Sequence, residues 1–126
     1  MNTFALADIE QVKGKIKFKK LVIDGVCQFE DFCEQISTQG NLEKELDKIF
    51  SRMNQVANMQ RLPKEKFRDI TPAKETIKEF EIKTSNLRIY LIKEEAHIVV
   101  FAGKKNSQKE DIKKFRSIKK QYLNYH

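Results

Sequence analysis

IKEFEIKTSNLRIYLIKEEAHIVVFAGKKNSQKEDIKKFRSIKK, residues 77–120, decides the fold, because the chemistry of its residues alternates in a way that only one strand register satisfies. A two-residue turn at Ser85-Asn86 sets Thr84 against Leu87, Lys83 against Arg88, Ile82 against Ile89, Glu81 against Tyr90 and Phe80 against Leu91. Every pair then matches in kind. Phe80, Ile82, Ile89 and Leu91 share one face, and Glu81, Lys83, Arg88 and Tyr90 share the other, as the period of two demands of a half-buried antiparallel sheet. A slip of one residue would mix both faces. A second tight turn at Glu94-Glu95 would place Leu91 opposite Ile98, Ile89 opposite Val100 and Leu87 opposite Ala102, with Val99 and Phe101 joining Tyr90 and Arg88. A longer turn through Ala96 fits almost as well.

Ser107-Gln108-Lys109-Glu110 follows as a capping box, with Ser107 as N-cap and Glu110 reaching back. The helix it opens carries Ile112, Phe115, Ile118, Tyr122 and Leu123 at spacings of three and four. From Lys104 onward there are eight basic residues against Glu110 and Asp111, a local balance of +6 in a chain of formal charge +7. Such concentration, with a sequence pI near 9.4, points to an acidic partner: nucleic acid, an anionic surface or an acidic protein.

Working back toward the start, KIKFKKLVI (15–23) reads as a strand that begins exposed and ends buried. Its lysines suit the guarding of a sheet edge. Asp24-Gly25 turns the chain, Phe29, Phe32, Cys33 and Ile36 mark a short amphipathic helix, and Leu42, Leu46, Ile49, Phe50, Met53, Val56 and Ala57 mark one of about four turns. Gly40 suits a left-handed C-terminal cap and Asn41 an N-cap between them. Residues 61–76 contain both prolines and read as an irregular connector pinned by Leu62, Phe67 or Ile70.

The expected fold is therefore α+β: a strand, a two-helix hairpin, a three-stranded antiparallel meander and a C-terminal helix. The hairpin packs on the apolar side of the sheet, and the first strand pairs at an edge of the meander. At 126 residues this is one domain, residues 1–126. The longest apolar run, Ile98–Ala102, is far short of the roughly 20 residues that span a bilayer. The N-terminus lacks a basic start followed by an apolar block, so a cytoplasmic protein without membrane attachment is expected. Cys27 and Cys33 have no second pair or nearby histidine to complete a zinc spacing, so reduced structural thiols and no metal or cofactor are expected. His97 beside a turn and His126 at the terminus have no partner fixed by pattern.

Phe80-Glu81-Ile82-Lys83 leading into Leu87-Arg88-Ile89-Tyr90, then Val99-Val100-Phe101-Ala102-Gly103-Lys104-Lys105, resembles the RelE/ParE superfamily of type II toxins, nearest its HigB-like branch. The resemblance covers roughly residues 77–120. It implies a RelE-like fold, a cognate antitoxin as partner, and metal-free cutting of mRNA on the ribosome. Arg88 matches the family's strand arginine, and Lys104 and Lys105 its basic run. Metal-free cleavage needs a proton acceptor, a proton donor and cations around the phosphorane. Arg88 and Lys83 are candidate phosphate clamps, with Lys104 and Lys105 closing the site and Glu81, the one carboxylate on that face, a candidate base. Tyr90 and Phe101 are candidates to stack on bases, with Gln108, Lys109, Lys113 and Arg116 as further RNA contacts. The alternatives are a ParE-like gyrase inhibitor without nuclease activity, and a non-toxic basic nucleic-acid-binding domain.

Overall fold

The fold is a six-stranded mixed sheet covered on both faces by helices. A computed structural model describes residues 2–125; His126, one of the two histidines, lies outside the described residues. In chain order the elements are β1 (Phe4–Asp8), β2 (Phe18–Ile23), α1 (Gln28–Ser37), α2 (Leu42–Ala57), β3 (Phe67–Asp69), β4 (Lys78–Lys83), β5 (Leu87–Lys93), β6 (His97–Lys104) and α3 (Gln108–Tyr125), with a 3₁₀ turn over Lys105–Ser107. The strands lie in the order β1-β2-β6-β5-β4-β3. Every neighbouring pair is antiparallel except β2 and β6. That parallel step follows from the helical hairpin, which carries the chain back across the sheet before β3 begins. No helix is long and apolar enough to cross a membrane among the described residues.

The β4–β5 hairpin has the expected register, from Phe80 opposite Leu91 to Lys83 opposite Arg88. Glu45 of α2 holds its turn in place: the carboxylate accepts from the Thr84 hydroxyl, the Asn86 amide N–H at 2.8 Å and Asn86 Nδ2 at 2.7 Å. Burial by itself would raise the Glu45 pKa, but these donors outweigh it and hold the group below the ordinary carboxylate value.

The β5–β6 register differs from the tight turn at Glu94-Glu95. The turn is the longer one through Ala96, with Glu94 N–H bonded to Ala96 O at 3.0 Å and Lys93 opposite His97. A bulge at Tyr90/Leu91 then restores the parity, so that Leu91 faces Val99, Ile89 faces Ala102 and Leu87 faces Lys104. Phe101 keeps the expected face but lies opposite Tyr90, where the tight turn would set it against Arg88, whereas Val99 moves to the opposite face and packs in the helical-hairpin core. One extra residue on β6 lets a three-residue turn coexist with two apolar faces.

Two strands were not read from the sequence. β1 pairs with β2 and displaces it from the sheet edge, and β3, inside the connector, adds to β4. β2 begins at Phe18, not at Lys15. Asp24 and Gly25, with φ of 51° and 81°, turn back from β2, and Asp24 Oδ1 accepts from Thr3 N–H at 2.7 Å, tying down the start of β1.

The helical hairpin covers one face: Phe29, Phe32, Ile36, Leu46, Ile49 and Met53 pack on Ile82, Leu87, Ile89, Leu91 and Val99. Gly40 does adopt a left-handed φ of 50°, but Asn41 makes no side-chain cap bond. The other face, expected to be half solvated, is closed by α3. Phe115 and Tyr122 meet Leu21, Tyr90, Ile92, Ile98 and Val100 there. α3 is also pinned by charge, because Glu79, buried on β4 on the same face as Glu81, which is therefore not the one carboxylate there, takes Lys119 Nζ at 2.8 Å and Arg116 Nε at 3.0 Å. Lys119 is therefore an internal group and not part of the exposed cationic surface. The capping box does not form: Ser107 Oγ donates to Asp111 Oδ2 at 2.6 Å instead of pairing with Glu110.

Candidate functional site

The covered face of the meander carries an unbroken cross-strand row, Arg68 (β3), Glu81 (β4), Tyr90 (β5) and Phe101 (β6). One step along lies a second row, Lys83, Arg88 and Gly103. Period-two alternation places Glu81, Lys83, Arg88 and Tyr90 together, as the sequence predicts, and the short β3 adds Arg68. Arg68 was missed because its strand has three residues between prolines, although the alternation in Phe67-Arg68-Asp69 is a faint signal for it.

Glu81 and Tyr90 are each 0% exposed and Arg88 5%, so α3 lies directly over them. Gln108 Nε2 donates to Glu81 Oε2 at 2.6 Å. Arg68 Nη2 is 3.2 Å from Glu81 Oε1, without hydrogen-bond alignment. Arg88 Nη1 donates to Thr84 O at 2.5 Å and Leu87 O at 2.8 Å. Tyr90 stacks on Phe115 with centroids 5.6 Å apart. Burial pushes the Tyr90 phenol well above its ordinary pKa, and nearby Glu81 and Asp111 push it further.

Among the described residues, the buried side-chain polar atoms without a hydrogen-bond partner are Arg68 Nε, Glu81 Oε1, Arg88 Nε and Tyr90 Oη. All four belong to these two rows. A buried polar atom left unpaired costs roughly 1–3 kcal/mol, so such groups are rare, and their gathering at one place needs a reason beyond folding.

The other candidates are dispersed. Lys104 shares the face of Leu87, its partner across the ladder, and so lies on the opposite side of the sheet from Arg88. Its Nζ donates to Gln39 Oε1 at 2.8 Å, between α1 and α2. Lys105 is exposed in the 3₁₀ turn, so Lys104 and Lys105 do not close the Arg88 site. Arg116 is engaged by Glu79 and by Ile70 O at 2.9 Å, and Phe101 packs beneath α3. Lys109 and Lys113 are exposed on α3, and Lys83 is half-buried.

His97 does have fixed surroundings. It is stacked on Phe18 at 5.1 Å in the helical-hairpin face, and burial lowers its pKa to about 4. Cys27 and Cys33 are unpaired thiols; burial raises both, Cys33 to about 12, which disfavours the thiolate.

The arrangement gathers a carboxylate, a phenol and the Arg88 guanidinium beneath a basic helix, with the partly exposed Arg68 of the edge strand beside the carboxylate. Comparisons of the chain with protein-family models, with curated proteins and with solved structures gave no match. Fold and site together define a mixed α+β protein with a buried acid, phenol and arginine cluster.

Proposed function

We propose that this protein is the toxin of a type II toxin-antitoxin pair and a metal-free, ribosome-dependent mRNA endonuclease of the RelE-like kind. The observation that carries the reading is the gathering on Arg68, Glu81, Arg88 and Tyr90 of the four buried polar atoms that, among the described residues, lack a hydrogen bond. Supporting it are the element order, the charge of +7 and the motif from Phe80 to Lys105.

The residues suit each requirement of the reaction. Glu81 takes the proton of the 2'-hydroxyl as O2' bonds to phosphorus. Arg88 and Arg68 balance the charge on the phosphorane. Tyr90, a phenol and so protonated at neutral pH, gives its proton to the departing O5' as the P–O5' bond breaks. The products are a 2',3'-cyclic phosphate and a 5'-hydroxyl. Substrate reaches these groups when the first turn of α3, with Gln108 on Glu81, moves aside. Lys109 and Lys113 hold the RNA backbone from the outside.

The test is to map mRNA 5' ends in a translation reaction with and without ribosomes, using wild type, Arg88→Ala and Glu81→Gln. Cuts that need ribosomes and vanish in both variants support the reading. Intact mRNA with folded wild-type protein sinks it.

One observation favours a second reading: the burial of Glu81, Arg88 and Tyr90 equally suits a ParE-like protein that inhibits gyrase by binding alone. Inhibition of DNA supercoiling with mRNA left intact would establish it. Failure of both assays leaves a basic nucleic-acid-binding domain.

A further inference from the structure

The sheet ends in β1 on one side and β3 on the other, and the two edges are built differently. β3 has three residues, carries Arg68 and Asp69, and lies between Pro63 and Pro72, features that keep a sheet edge from pairing with another chain. β1 lacks such guards apart from Asp8, whose charge is met by Lys19. It pairs without interruption with β2, from Phe4 opposite Ile23 to Asp8 opposite Lys19. Residues 2–8 contain no proline and no basic residue, and the lysine-rich strand expected to guard this side is β2, one place inward.

The ladder decides which backbone groups of β1 are open. Thr3 O accepts from Asp24 N–H at 2.9 Å and Ile9 N–H donates to Phe18 O at 3.3 Å, so the odd-numbered residues turn their polar groups toward β2. By alternation Phe4, Leu6 and Asp8 turn theirs outward. On the α3 side of the sheet the same edge is apolar. Leu6 is 41% exposed, and Tyr125, 46% exposed, meets Phe4 edge-on with centroids 5.1 Å apart. A hollow of about 580 Å³ opens beside Asn2, Phe4, Gln121 and Tyr125, and another of about 300 Å³ beside Leu6, Ile98 and Tyr122.

We propose that β1 is a self-association edge, where two copies of this chain pair β1 with β1 about a two-fold axis at Ala5 and join their sheets. The occupant follows from the strand read against itself. An antiparallel two-fold pairing must set outward residues opposite outward residues. Centred on Ala5, it places Phe4 of each copy against Leu6 of the other and Asn2 of each against Asp8 of the other. The small Ala5 side chains then meet at the close, non-hydrogen-bonded crossing. Leu6 of each copy covers the hollow beside Phe4 and Tyr125 of the other. A centre at Leu6 would instead put Phe4 against Asp8, and a centre at Ala7 would put Leu6 against Asp8. Charge agrees with this edge. In a chain of formal charge +7, approach along β1 brings together strands whose one charge is Asp8, whereas the exposed Lys109 and Lys113 of α3 would meet their own kind.

The test is sedimentation velocity of the purified chain over a concentration series without RNA, so its outcome is independent of the nuclease reading. Amide hydrogen exchange is followed at low and high concentration. A strand-sized contact is small, so the dimer should form with a Kd on the order of 10–100 μM. Amides of Phe4, Leu6 and Asp8 should gain protection with concentration, while those of Ala5 and Ala7, bonded to β2 in either state, should not change. Leu6→Lys, at an exposed position, should weaken association by about tenfold or more. Met59→Lys adds the same charge at an exposed apolar residue beyond the end of α2 and should have little effect. Asn2→Lys, facing Asp8 of the other copy, should tighten the dimer, and Asn2→Asp should loosen it.

A monomer at every concentration would overturn the proposal. So would protection of the β1 amides only when a different protein is added, which would make this edge a site for another chain's strand. A dimer left intact by Leu6→Lys would place the contact elsewhere, and equal weakening by Met59→Lys would reduce the effect to general charge; either result overturns the pairing. The opposite order of the two Asn2 variants would exclude the register centred on Ala5, and the proposal with it.

Discussion

The Asp111 carboxylate occupies the space that a side chain on Gly103 would fill: a Cβ built there overlaps Oδ2 and lies 2.8 Å from Cγ. Asp111 is buried and is bonded by Ser107, so the end of β6 and the first turn of α3 are fitted to each other through a missing methyl group.

Gly103→Ala should therefore lift the first turn of α3 and lower stability by about 1–3 kcal/mol in urea unfolding. Adding Asp111→Ala should recover part of that loss, since the two side chains compete for one volume. Strictly additive losses would show that this contact does not set the docking of α3.

Tyr90→Phe separates folding from chemistry. The Tyr90 hydroxyl is buried without a partner, so its removal should leave stability unchanged or raise it by about 1 kcal/mol. Ribosome-dependent cleavage should nevertheless fall on the order of 100-fold, the range for loss of a general acid. Full activity in Tyr90→Phe would remove the tyrosine from the mechanism.

Glu79→Ala leaves the Lys119 ammonium buried beneath its own helix, with Glu75 at 4.0 Å as its remaining carboxylate. A loss of about 3–5 kcal/mol is expected by denaturant titration. Glu79→Leu with Lys119→Met, which removes both charges, should cost much less. If the single and double variants are equally unstable, the ion pair is not what holds the helix.

His97 makes the fold sensitive to acid. Its pKa is about 4 when folded and ordinarily 6.5, so the unfolded chain binds more protons between these values. Its contribution is complete above pH 6.5 and is lost as pH falls toward 4, amounting to a few kcal/mol. Thermal melts should show this slope in wild type, and His97→Phe, which keeps the stack on Phe18, should flatten it. Persistence of the slope would assign it to other groups. Glu45, with its pKa lowered, acts with the same sign at lower pH, since its stabilising effect is lost as its carboxylate is protonated.

Much of the meander was legible because Phe80, Ile82, Ile89 and Leu91 alternate strictly with Glu81, Lys83, Arg88 and Tyr90, and one turn reconciles them. The β5–β6 pairing was less so, since Ile98 to Ala102 is apolar throughout and permits two registers; the bulge decides by burying both sets. β1 and β3 were hidden for a different reason. Phe4–Asp8 and Phe67–Asp69 have little alternation of their own and become strands by pairing with β2 and β4.

The site divides in the same way. Sequence periodicity by itself determined that Glu81, Lys83, Arg88 and Tyr90 share a face, because successive side chains along a strand must alternate. Only the tertiary structure decided that α3 covers that face, that Arg68 joins it, and that Lys104 belongs to the opposite one. These depend on packing between segments distant in the chain. There, burial of Phe115, the Glu79–Lys119 pair and the fit of Asp111 on Gly103 select one arrangement among several that local pattern allows.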